Sequence, residues 1–211
     1  MSRRLLQLAL DVTDVATALK VAVKAAPAVD IVEDGTVLCL AKGVDSMRDL
    51  RAVLPGKTLL ADIRIARAGE KFANLYFEAG ASRVSVVGES GLDVIRGACK
   101  AASRFGGGVE VELFPGWNDD DIRGFIDAGV KVIIVHRDTC TPEEDQSVRN
   151  QLFRLRDLVP SNSVSITLAG GLNATSLKRF VDCPFDIAVV GSAIVKADDP
   201  FAAAQALRAA L

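Results

Sequence analysis

The stretch Leu5-Leu6-Gln7-Leu8-Ala9-Leu10-Asp11-Val12-Thr13-Asp14 decides how the rest of the chain is read. It opens with a short, mostly apolar run, as a strand buried on both faces of a parallel sheet should. It closes on an acid and a Thr-Asp helix start. An open, doubly wound sheet would instead carry a G-x-G-x-x-G turn here, and that turn is missing. The same pattern then recurs. Apolar runs at 5–10, 29–32, 58–61, 83–87, 109–113, 132–135, 164–168 and 187–190 alternate with helical patterns at 15–26, 44–53, 69–79, 92–103, 119–128, 146–158, 174–181 and 200–211. The helical segments carry apolar residues at three- and four-residue spacing. Gly80 and Gly129 stand where a helix-ending glycine belongs. Eight alternating units predict an α/β fold of one kind, a single (β/α)8 TIM barrel over 1–211. The open sheet is the structural alternative.

Composition narrows the function. Lys plus Arg is 25 against Asp plus Glu 27, so no basic face marks a nucleic-acid or membrane partner. Half of the 211 residues are apolar, enough for a full core, yet no run reaches the ~18 residues a membrane span needs. Arg3-Arg4 precedes an apolar stretch that Gln7 and Asp11 interrupt, so no secretory leader is expected. Cys39, Cys99, Cys140 and Cys183 are scattered, and one histidine leaves little for a Cys/His zinc site. A cytoplasmic, reduced protein is expected.

In such a barrel, chemistry sits at the C-terminal ends of the strands. There the sequence places Asp11, Glu33-Asp34-Gly35-Thr36, Asp62 with Arg64 and Arg67, Gly88-Glu89, Glu112 and His136-Arg137-Asp138. The last two strands end in Gly170-Gly171 and Gly191-Ser192. Converging carboxylates repel unless a cation lies among them. An all-oxygen set points to Mg2+, with Glu33 and Asp62, on adjacent strands, as the best ligand pair. The competing reading pairs one of them with Arg64 or Arg67. The glycine pairs suit a phosphate held by backbone N–H groups, or are simply tight turns. His136 is either a general acid/base or a structural residue.

The tracts Leu8-Ala9-Leu10-Asp11, Val29-Asp30-Ile31-Val32-Glu33 with Gly35-Thr36, Leu60-Ala61-Asp62, Val111-Glu112-Leu113, Val135-His136-Arg137 and Ala169-Gly170-Gly171 together carry a resemblance along essentially the whole chain. The chain resembles the 3-keto-L-gulonate-6-phosphate decarboxylase and hexulose-6-phosphate synthase group of the orotidine 5′-phosphate decarboxylase superfamily. The resemblance implies a homodimer with active sites at the interface, and Mg2+ on Glu33 and Asp62. It implies a phosphorylated keto sugar or keto sugar acid as substrate, passing through an enediolate. It implies that Asp11 and Glu112 contact substrate hydroxyls and that His136 handles a proton. Arg137, Gly170, Gly171, Gly191 and Ser192 would complete substrate binding.

The departures matter as much. The family pattern Asp-x-Lys-x-x-Asp reads Asp62-Ile63-Arg64-Ile65-Ala66-Arg67 here. Arg64 keeps a charge for catalysis but is hardly a proton donor. Arg67 reverses a charge, for which Asp34 is the expected partner; alternatively Arg67 grips a further anionic group of the substrate. Glu112 and His136-Arg137 follow the decarboxylases, whereas Ala169 is synthase-like. Thr139 and Ser192 stand where arginines are usual. Two other outcomes stay open: an aldol-type synthase or isomerase, and a non-catalytic phosphosugar-binding barrel, which Arg64 and Arg67 favour.

Overall fold

The computed structural model describes residues 3–138, 140–160 and 162–211. Eight parallel strands close in sequence order: β1 (Leu5–Leu10), β2 (Ile31–Asp34), β3 (Thr58–Ile65), β4 (Arg83–Val87), β5 (Gly108–Glu112), β6 (Val132–His136), β7 (Ser165–Ala169) and β8 (Ile187–Val190). The connecting helices are α1 (Val15–Ala25), α2 (Thr36–Lys42), α3 (Val44–Val53), α4 (Gly69–Glu78), α5 (Leu92–Phe105), α6 (Asp119–Asp127), α7 (Pro142–Leu158), α8 (Ala174–Leu177), α9 (Ser192–Val195) and α10 (Pro200–Ala209). This is the expected single barrel. None of the described helices is long and apolar enough to cross a membrane.

Several boundaries differ from the sequence reading, each for a local reason. β2 runs on through Glu33 and Asp34, because Ser46 Oγ donates to the buried Asp34 carboxylate at 2.7 Å. An additional helix, α2, follows at once. β3 extends to Ile65 across a register break between Ala61 and Ile65, with Arg64 at φ 46°. α7 starts four residues early, on a Thr141 cap with Pro142 in its first turn, where proline fits best. α4 and α5 approach so closely that a Cβ on Gly69 would lie 1.9 Å from the Val94 carbonyl oxygen.

Strand register fixes what faces inward, since partners across a ladder share a face. Leu5, Ile31, Leu60, Val132 and Ile187 form an apolar plug low in the barrel. Beneath it, the Asp30 carboxylate accepts from the Leu6 N–H at 2.8 Å and from Arg3 and Arg208, both at 2.6 Å. The middle of the barrel is polar. Gln7, Ser85, Glu110 and Thr167 all point inward and are buried. Glu110 is bonded to Arg83 at 3.1 Å through one oxygen, while its other oxygen has no partner.

Burial raises the Glu110 carboxyl above the usual carboxylate range, against the pull of Arg83. A raised folded value favours the folded state at low pH, and that contribution is lost as pH rises through it. Glu110→Gln is therefore expected to melt higher than the parent at pH 8, by about 1 kcal/mol or 2–4 °C. The gap should shrink toward pH 4.5. Melting curves of both proteins from pH 4.5 to 8 check this; a gap that widens on acidification contradicts it.

Candidate active site

A cavity of about 650 Å³ opens at the C-terminal mouth, and residues from seven of the eight strands reach it. Glu33 and Asp62 sit on adjacent strands at its floor. Glu33 is almost fully buried, and one of its oxygens accepts from Gln7 Nε2 at 2.6 Å. Asp62 accepts from Thr36 Oγ1 and from Ser85 Oγ, the latter at 2.6 Å. Ser85 in turn accepts the Arg64 N–H at 2.9 Å. All three side-chain donors are neutral, so among the described residues no cation is ion-paired with either acid.

The electrostatic consequence is visible in the carboxyls. Burial, reinforced by the Asp62 charge, raises Glu33 well above the usual carboxylate range. Burial also raises Asp11, against the Val37 N–H that bonds it at 3.3 Å. Asp34 is pushed up to about 6, chiefly by burial. Desolvation and the neighbouring carboxylates both disfavour the charged forms of Glu33 and Asp11, so the site has an unmet need for positive charge. The Gln7 Oε1 oxygen is also buried without a partner. Two carboxylates beside open space match a hard divalent cation that keeps waters and takes substrate oxygens. The described residues contain no cluster of three or more His, Cys, Asp or Glu able to cage a metal alone.

Across the cavity, Arg64 is ion-paired with Glu112. The alternative pairing of Arg64 with Glu33 or Asp62 does not occur. Burial raises the Glu112 carboxyl, while Arg64 works the other way. His136 is half-exposed on the same wall, and its Nδ1 lies 3.0 Å from Asp138 Oδ1. Gly170, Gly171, Gly191 and Ser192 line the far side. Asn173 Oδ1 accepts from the Thr175 and Ser176 N–H groups of α8, at 2.9 Å each, and so caps that helix with its own side chain.

Two expectations are corrected. Asp34 does not pair with Arg67: it is fully buried on Ser46, whereas Arg67 is exposed, lies outside the cavity lining and has no ion pair among the described residues. Arg137 does not face the mouth. Its side chain is fully enclosed against Asp145 and the Gly170 carbonyl. Thr139 falls outside the described residues.

Sequence reasoning passed over Gln7, Ser85 and Lys196. Gln7 and Ser85 are lone polar residues at inward positions of apolar strands, a signal readable once register is assigned. Lys196 is exposed, lines the cavity and has no ion pair among the described residues. It follows Ser192 by one helical turn.

Comparison with known proteins identifies the family and supports the fold. Residues 4–207 match the family described as Orotidine 5'-phosphate decarboxylase / HUMPS family. A 3-keto-L-gulonate-6-phosphate decarboxylase of Escherichia fergusonii is 33% identical over 210 residues, covering 97% of this chain and 95% of the relative. The solved 3-keto-L-gulonate-6-phosphate decarboxylase (KGPDC) of Streptococcus mutans superposes with a TM-score of 0.90 at 26% identity, covering 99% of this chain and 97% of that one. A solved 3-hexulose-6-phosphate synthase superposes with a TM-score of 0.88 at 32% identity, covering 98% and 99%. The chain therefore belongs to the Orotidine 5'-phosphate decarboxylase / HUMPS family.

Proposed function

We propose that this protein is a Mg2+-dependent carbon–carbon lyase of a phosphorylated keto sugar or keto sugar acid, acting as 3-keto-L-gulonate-6-phosphate decarboxylase does. One observation carries the reading: Glu33 and Asp62 sit together at the cavity floor, steadied only by neutral donors. Mg2+ held by these two carboxylates would neutralise the negative charge that develops as CO2 leaves and an enediolate forms. The chain's own residues do the rest. Gln7, Thr36 and Ser85 fix the two acids. Arg64, anchored by Glu112, adds a permanent positive charge on the opposite wall and gives up no proton. His136, oriented by Asp138, delivers the proton to the enediolate carbon, directly or through water. Asp11 and Glu112 accept hydrogen bonds from the sugar hydroxyls.

The phosphate rests on the Gly170-Gly171 turn, Gly191 and Ser192, with Lys196 supplying the charge that Ser192 does not. Lys196→Ala is expected to raise KM for the phosphorylated substrate about tenfold, with kcat little changed, as loss of a uniform binding contact requires. Steady-state kinetics check this. We assign the protein to the cytoplasm, as a homodimer; α2 and α4 expose Val37, Leu40, Phe72 and Leu75, apolar side chains that a second copy would cover.

The decisive assay supplies 3-keto-L-gulonate 6-phosphate and Mg2+ and follows CO2. Release that stops with chelator and returns with Mg2+ supports the reading. Ala169, which favours a synthase, makes formaldehyde consumption with a phosphorylated ketopentose the second assay; activity there alone moves the protein to the aldol reaction. Silence in both leaves a phosphosugar-binding barrel and overturns the lyase.

A further inference from the structure

Arg137 is the largest of the fully buried side chains. Its Nη1 donates to the Gly170 carbonyl at 2.9 Å. Its Nε donates to Asp145 Oδ1 at 2.8 Å, and Nη2 lies 2.7 Å from the same oxygen. Asp145, on α7, also meets Arg179 Nε at 3.1 Å, and the Phe180 ring lies 5.2 Å from the Arg137 guanidinium carbon. The backbone holds the same turn. Arg137 N–H donates to the Ala169 carbonyl at 3.0 Å, and a Cβ on Gly170 would lie 2.1 Å from the Arg137 carbonyl oxygen.

We propose that Arg137 is the positioning residue of the phosphate seat, acting through the Gly170–Gly171 peptide without touching the ligand. The inference rests on the reading that phosphate binds this turn. Gly170 and Gly171 both have positive φ, 95° and 58°, a run of two residues with wide backbone freedom. A trans peptide places its C=O and the next N–H on opposite sides. Arg137 grips the Gly170 carbonyl from the buried side, so the Gly171 N–H is turned away from that side, toward the cavity both glycines line. A charged donor on the carbonyl also polarises the peptide and strengthens its N–H as a donor. The guanidinium fork serves Asp145 and Gly170 together; an ammonium group on a single stem does not reproduce that planar fork.

The test is Arg137→Lys, read by calorimetric titration with inorganic phosphate and by kinetics with 3-keto-L-gulonate 6-phosphate. The expected result is a cooperatively folded protein whose phosphate Kd and substrate KM both rise about tenfold, with kcat within threefold of the parent. A merely structural role lowers the melting temperature and the active fraction but leaves phosphate Kd alone. A folded variant with the parent's phosphate Kd overturns the proposal. Should that variant fail to fold, Asp145→Asn keeps Arg137 while loosening its anchor; its phosphate Kd must rise, and an unchanged Kd overturns the proposal equally. A parent that itself binds no phosphate defeats the phosphate reading first, and is told apart because the defect precedes any substitution.

Discussion

Glu33→Gln is expected to lower turnover about a thousandfold or more, the scale of losing a principal electrostatic stabiliser of the transition state. It is expected to do so without weakening the fold. In the metal-free protein the substitution removes a buried acid from beside Asp62, and Gln7 keeps a hydrogen-bond acceptor there. Its melting temperature should equal or exceed the parent's when chelator is present. With Mg2+ the order reverses. A cation at a hundred times its Kd adds about 2.7 kcal/mol to the parent, on the order of 5–11 °C for a chain of this size. The variant should show little of that shift. Thermal denaturation of both proteins, with and without Mg2+, separates these terms from turnover. Full Mg2+ stabilisation in Glu33→Gln means that the cation sits elsewhere.

Arg64→Gly carries the second large effect and splits activity from stability. Arg64 occupies the left-handed region at φ 46°, a conformation that costs a non-glycine residue about 1 kcal/mol or more. Glycine relieves that strain, at an unfolded-state cost of roughly 0.5–1 kcal/mol. The substitution also removes a guanidinium whose ion pair is partly exposed and contributes little to stability. The melting temperature should therefore stay within a few degrees of the parent's. Turnover should fall about a hundredfold or more, because the wall facing the developing charge loses its permanent cation. Glu112 loses the one neighbour whose charge most opposes its burial, so its carboxyl moves further up. The acid limb of the pH–rate profile should then shift to higher pH. A variant with parental turnover would remove Arg64 from the mechanism.

The barrel was legible because eight apolar runs alternate with amphipathic segments, a pattern that few folds satisfy. The strand ends also announced Glu33, Asp62, Glu112 and His136, all of which the closed sheet brings to one cavity. What stayed hidden depends on partners distant in sequence. α2 reads as Thr-Val-Leu-Cys-Leu-Ala-Lys, an apolar run with no helical stripe. β2 seemed to stop at its first carboxylate, because nothing local reveals that Ser46, twelve residues on, makes a buried Asp34 tolerable. Arg137 looked like a substrate contact for the opposite reason: an arginine is presumed wet until an acid such as Asp145 is found beneath it. Arg67 shows the limit of reasoning from charge alone, since a reversed sign demanded a partner that the described residues of a single chain do not provide.

The Asp30 carboxylate draws together Arg3 and Arg208, residues separated by nearly the full length of the polypeptide. The segments that carry Arg3 and Arg208 thus converge under the barrel, opposite the cavity. An affinity tag or fused domain attached at either end departs from the closed side, and immobilised protein should present its open side to solution unobstructed.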